Sequence, residues 1–170
     1  MNEKRDFLSK EEIVRIKDEI IKYSTEEKDL RGFVIGKGWA HAVAHLADAI
    51  DELGKNPCLT KKEKVELLGV IKKTISRKDA PYFNLEDERL ATATVSIIQS
   101  AQLSISEIKQ WLEKFPFWDK TEKWEEEYIL VSNTRNFLSS LFFRLTRNDD
   151  YIEYAEVTKD VLNRFMEDYI

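Results

Sequence analysis

Apolar residues recur every three to four positions through most of this chain, and helix-capping signals punctuate the recurrence. Ile13, Ile16, Ile20 and Tyr23 form the first stripe. Ser9 and Glu12 make a capping box before it, which predicts a helix ending near Ser24. A second helix is expected to start after Gly38 and run to about Leu53, with Gly54 as its C-terminal cap. Thr60 with Glu63 opens a third to about Ser76, with Val65, Leu68, Ile71 and Ile75 facing inward. Asn84 is placed to cap a fourth, whose first turn Glu86-Asp87-Glu88 suits the positive end of a helix dipole and which reaches about Ala101. Ser104 with Glu107 opens a short fifth helix before Pro116. A sixth helix is expected over about residues 120–147. Asn148-Asp149-Asp150 breaks it from a seventh, running from about Tyr151 to Tyr169.

No strand-like alternation bounded by turn signals survives this reading, so the expected class is all-α. Consecutive helices on short loops pack antiparallel. The first four make two helix pairs of roughly 45 residues, a period typical of HEAT and armadillo repeats. The expected architecture is therefore a stack of antiparallel helix pairs, a HEAT/armadillo-like α-α superhelix, with a compact helical bundle as the alternative. The length of 170 residues fits a single domain over residues 1–170.

Composition narrows the function classes. Charged residues make up 35% of the chain with both signs mixed, as exposed helix faces require. The net charge of -5 argues against a nucleic-acid partner, because a duplex binder carries a basic stripe. Lys61, Lys62 and Lys64 stand beside Glu63 and Glu66 and read as a solvated helix face. Cys58 is the only cysteine, which excludes an intrachain disulfide and fits a reducing compartment. The first twelve residues lack the apolar core of a signal peptide, and no apolar run approaches the ~18 residues of a membrane span. A cytoplasmic protein without a membrane partner is expected.

Candidate chemistry concentrates in residues 31–48, RGFVIGKGWAHAVAHLAD, which hold both histidines and three of the five glycines. On a helical wheel of about 100° per residue, Trp39, Val43, Leu46, Ile50 and Leu53 fall on one side, and His41, His45, Asp48 and Glu52 on the other. The i, i+4, i+7 spacing allows neighbours along the polar stripe to touch. His41, His45 and Asp48 could grip one divalent metal ion, with Glu86, Asp87 or Glu88 supplied from another helix. A base oriented by Asp48 is a second option, although no serine or cysteine nucleophile stands in a recognisable elbow. The reading we favour is a polar seam. In it the histidines bond to the loop before the helix or to the next helix pair, Asp48 pairs with Arg31 or Arg89, and no cofactor is held.

Gly36-Lys37-Gly38 resembles an anion-holding loop only loosely, because the P-loop spacing is absent; a sharp turn into the helix is the simpler role. The aromatic run at 111–124 reads as a corner where Phe115, Phe117 and Trp118 plug the core, and Phe137, Leu138, Leu141, Phe142 and Leu145 read as core.

The segments DLRGFVIGKGWAHAVAHLADAIDEL and EDERLATA, with the opening FLSKEEIVRIKDEI, resemble the bacterial family catalogued as domain of unknown function 2785. The resemblance implies a helical fold and names no activity. It marks Arg31, Gly32, Gly36, Lys37, Gly38, Trp39, His41, His45, Asp48, Glu88 and Arg89 as signature positions. Longer members carry further helical sequence before this point, so the first helix is expected to show an uncovered apolar face. The expected function is a non-enzymatic binding or scaffold module. Its groove, lined by Arg31, Lys37, Trp39, His41, His45, Asp48, Glu88 and Arg89, would take a protein or small-molecule ligand. A homo-oligomer through the first or last helix is a further option, and the alternative function is a metal-dependent, hydrolase-like enzyme using His41, His45 and a carboxylate.

Overall fold

Hydroxyl caps set the starts of three helices. In the computed structural model, which describes residues 8–116 and 123–167, Ser9, Thr60 and Ser104 each accept from the backbone N–H three residues on. Glu12, Glu63 and Glu107 reach back to the cap N–H. Each box satisfies two of the amides that a helix start leaves without intrahelical partners. The boxes open α1 (Lys10–Glu26), α3 (Lys61–Ile75) and α5 (Ile105–Leu112). The other helices are α2 (Ala42–Lys55), α4 (Glu86–Ala101), α6 (Trp124–Leu145) and α7 (Ile152–Glu167). Asn148 ends the run of α6 as expected, and its side chain caps a short 3-10 turn, Asp149–Tyr151. Among the described residues no helix is long and apolar enough to cross a membrane.

The class is all-α, with one addition that the sequence pattern did not show. β1 (Phe33–Val34) pairs antiparallel with β2 (Gly38–Trp39) in a small hairpin. Strands of two residues are too short to display a period of two, so the sequence carries no alternation that marks them. The second helix accordingly starts at Ala42 rather than directly after Gly38. The expected start of the sixth helix near residue 120 and end of the seventh at Tyr169, like Phe117 and Trp118, lie outside the described residues.

α2 packs on α4, α4 on α6 and α6 on α7, while α1 meets α2 and α3, α3 packs on α4 and α2, and α5 meets α7. α2 and α4 run parallel. Near their starts Arg89 reaches Asp48, and near their ends Ser100 Oγ donates to the Gly54 carbonyl at 2.5 Å. Gly54 is a contact point here and not the cap expected of it: α2 continues to Lys55, and a Cβ at 54 would stand 2.8 Å from Ile97 Cγ1. One apolar cluster links Ile13 in α1 to Val161 in α7, with Ile50, Leu67, Ile97 and Phe137 fully buried within it. Each such side chain contributes about 1.5–3 kcal/mol of burial free energy. Phe115 fills the expected corner, stacked on Phe137 at 5.8 Å between ring centroids.

Two expectations for α3 are corrected. Val65 is 43% exposed, whereas Lys64 is buried at 4%. The buried arc runs through Lys64, Leu67, Leu68 and Ile71, and Val65 sits about 100° around from Lys64, beyond its edge. Lys64 therefore belongs to no solvated face, and burial holds its amine below the usual lysine range. On α1, Ile16 and Tyr23 of the predicted stripe are 40% and 37% exposed.

The stretch between α3 and α4 is tied down from both sides. Tyr82 is buried; burial pushes its phenol pKa up, and its hydroxyl donates to the Thr74 carbonyl at 3.0 Å. Asn133, in the middle of α6 and fully buried, accepts from the Tyr82 N–H at 2.8 Å and donates to the Ala80 carbonyl at 2.9 Å. These bonds replace the partners that non-helical backbone lacks, and they fix the segment that presents Phe83 and Leu85.

Candidate functional site

The site starts from a chain reversal. The Lys37 N–H donates to the Val34 carbonyl at 2.9 Å, and Gly36 (φ 78°) and Gly38 (φ 91°) take the left-handed conformations that the reversal demands. The glycines thus turn a hairpin, rather than leading the chain straight into the helix. The hairpin is extended by bonds from Ala40 N–H to the Gly32 carbonyl and from His41 N–H to the Arg31 carbonyl, both 2.9 Å. His41 then adopts φ 51° and starts α2 without a side-chain capping bond.

Trp39 and His41 consequently precede the helix instead of lying on its two faces. Trp39 is on β2, 62% exposed, opposite Phe33 with ring centroids 5.1 Å apart. Its other neighbour is the His41 ring, stacked at 4.5 Å, and His41 meets the His45 ring edge-on at 6.1 Å. Four rings from Phe33 to His45 form a continuous ladder at the start of α2.

His41 is anchored to the next helix pair. Its Nε2 lies 3.1 Å from the Asn84 carbonyl oxygen and 3.7 Å from Glu86 Oε1, with the side chains 11% and 2% exposed. Glu86 Oε2 accepts from the Asn84 N–H at 2.7 Å. The cap of α4 is not Asn84, as expected, but Leu85, which holds φ 66° and has no capping side chain. Glu86 satisfies the backbone there in place of a hydroxyl or amide cap. Gly32 makes the junction sterically possible, since a Cβ on it would lie 2.3 Å from Asn84 Nδ2 and 2.7 Å from Glu86 Oε1.

The remaining charged candidates are engaged locally. Arg89 holds both oxygens of Asp48, at 2.6 and 2.8 Å. Arg144 holds Glu88 at 2.7 Å, and Ser140 Oγ donates to Asp87 at 2.6 Å. Arg31 forks onto Asp29 at 2.6 and 2.7 Å, and that guanidinium holds the Asp29 carboxyl down at about 2. Lys37 is exposed on the hairpin. Among the described residues no group of three or more His, Cys, Asp or Glu side chains could hold a metal ion. The set His41, His45 and Asp48 does not converge, because Asp48 turns to Arg89 and His41 to Asn84.

An apolar surface accompanies the ladder, and the sequence reading missed it. Ile35 at the hairpin tip is 92% exposed, Phe83 76% and Leu85 66%. An open groove of about 950 Å³ lies between residues 28–35 and the stretch containing Asp79, Ala80, Pro81 and Phe83. The available signals were Phe33-Val34-Ile35 running into a Gly-Lys-Gly turn, and Phe83 and Leu85 in a connection where polar residues are usual.

The two histidines should respond differently to truncation. His41→Ala removes a bond at a nearly buried site, with an expected loss of about 1–3 kcal/mol. His45→Ala, at an exposed site, should change stability by no more than about 0.5 kcal/mol. Urea unfolding of both variants checks this, and equal losses would contradict the asymmetric ladder.

Residues 1–143 match the family model described as a protein of unknown function, DUF2785. The chain belongs to this family. No curated protein and no solved structure matches it. The DUF2785 match takes in the hairpin, the four-ring ladder, the α2–α4 junction and both walls of the groove, and stops short of α7.

Proposed function

We propose that this protein is a non-enzymatic binding module whose binding face is the hairpin together with the connection into α4. One observation carries the reading: large apolar side chains, Ile35, Phe83, Leu85, Trp39 and Phe33, stand at least half exposed on backbone that is hydrogen-bonded and anchored. Exposed apolar surface of this kind is costly to solvate and marks contact sites. Most candidate acid–base groups support the same reading, since His41, Asp48, Glu86 and Glu88 are each committed to bonds within the fold, while exposed His45 meets the His41 ring. We read the succession α2, α4, α6 as helix pairs stacked in a HEAT-like layer, with the hairpin emerging at one end of it. The free Cys58 fits a reducing compartment such as the cytoplasm.

A photo-crosslinking amino acid placed at Ile35 or Phe83 in cells tests the module. A discrete protein adduct at these positions and not at exposed Lys73 is expected. The purified adduct partner should then bind the native chain and lose at least about tenfold in affinity to Ile35→Asp, as loss of a central apolar anchor would cause. Absence of any position-specific adduct would remove the reading. Elemental analysis of untagged protein should find no stoichiometric zinc, manganese or iron. An equivalent of metal that disappears from a still-folded His41→Ala, His45→Ala variant would reinstate the metal-dependent alternative.

A further inference from the structure

We infer that the groove beside the hairpin receives a protein segment that is apolar and carries carboxylates. The inference rests on the binding-module reading and specifies the partner. Leu30, Val34, Ala80 and Pro81 line the groove, and Phe33, Ile35 and Phe83 project around it, so the occupant must offer apolar side chains.

The charges decide the rest. Two carboxylates border the groove, and the chain's own arginines neutralise both. Arg31 forks onto Asp29 at 2.6 and 2.7 Å, and Arg77 forks onto Asp79 at 2.5 and 2.8 Å. The cations have no such compensation. Lys28, in the lining, and Lys37, two residues past Ile35, are exposed, and neither amine has a hydrogen-bond or ion-pair partner among the described residues. The groove lining therefore offers one unengaged positive charge, Lys28, and the hairpin turn beside it a second, Lys37, on a chain whose net charge is -5. At ordinary ionic strength the field of that net charge is screened beyond about 8–10 Å, so the local lysines govern contact. A basic segment would set like charges against them, whereas a segment bearing two carboxylates can pair with both. Two lysines are too few for a phosphate backbone, whose binding grows with each cation engaged, and the apolar lining gives that backbone nothing.

The test uses the full chain and two fluorescein-labelled eight-residue peptides with identical leucine and phenylalanine positions. One carries glutamates between them and the other lysines. Fluorescence anisotropy should show the glutamate peptide binding at least about tenfold more tightly, with the preference shrinking as salt rises. An Ile35→Asp, Phe83→Asp variant should lose the binding. A Lys28→Glu, Lys37→Glu variant should invert the preference. All four positions are exposed, and circular dichroism verifies that each variant remains helical. Equal affinity for the two peptides, binding of neither, or an unchanged preference in the lysine variant would each overturn the inference. So would uptake on phosphatidylglycerol vesicles without peptide binding, which would assign the face to a lipid surface. If adducts still form at Ile35 in cells while the charge preference is absent, the module stands and its acidic partner does not. If both fail, the module reading falls as well.

Discussion

Asn133→Leu will lower the free energy of unfolding by about 2–4 kcal/mol, although leucine keeps the γ-branched shape of asparagine and is a better helix former. The loss comes from the segment the side chain holds rather than from α6. Asn133 is fully buried and serves two backbone groups of the neighbouring connection, the Tyr82 N–H and the Ala80 carbonyl. Leucine leaves both without a partner, and a buried unpaired group costs about 1–3 kcal/mol. The Tyr82 ring, itself buried and bonded to Thr74, prevents the connection from swinging out to recover those bonds from water. Urea unfolding gives the magnitude, and amide exchange at Tyr82 should accelerate by more than exchange in the middle of α2. A loss below about 1 kcal/mol would mean that the tyrosine alone holds the segment.

Gly32→Ala is expected to cost about 2–3 kcal/mol through crowding alone. The added methyl would fall 2.3 Å from Asn84 Nδ2, 2.5 Å from Asn84 Cγ and 2.7 Å from Glu86 Oε1. Asn84 could rotate away, but Glu86 is 2% exposed and its other oxygen holds the Asn84 N–H, so the junction must open to admit the methyl. The cause can be isolated by coupling. Asn84→Gly in the same chain should restore about half of the loss, the non-additivity expected of residues in direct contact. Gly36→Ala is the contrasting case. Space around Gly36 is open and only its φ of 78° resists a side chain, so a loss of about 1 kcal/mol is expected. If Gly32→Ala were the milder of the two, the crowded junction would be wrong.

These two sites show where sequence reasoning reaches and where it stops. Ser9, Thr60 and Ser104 were legible because a capping box is local, two residues three apart bonding to each other. The same local logic misplaced the start of α4. Asn84 is a good cap by type, but a left-handed Leu85 takes the position and buried Glu86 supplies the acceptor. Leucine rarely adopts that conformation, and only the packing of the junction imposes it. Glycine usually marks a helix end, but at Gly54 the approach of Ile97 from another helix is the reason for it. The site was half legible. Of the two partners considered for Asp48, the structure selects Arg89, and His41 does bond to the following helix pair. The ring ladder could not be read, because it depends on a reversal at Gly36 that sets Phe33 beside Trp39. The groove was hidden for a similar reason: its walls are about fifty residues apart in the chain and come together only when α2 and α4 run side by side.

The bond from His41 to Asn84 joins those two helices at residues that follow the hairpin and Phe83 directly in the chain. Whatever grips the hairpin and Phe83 at once also clamps this seam, so occupancy and cohesion draw on one free energy. A ligand at a hundredfold excess over its dissociation constant adds about 2.7 kcal/mol to the folded state. The protein should therefore melt at a higher temperature when occupied. By reciprocity, a substitution that loosens the seam should weaken binding without touching the occupant.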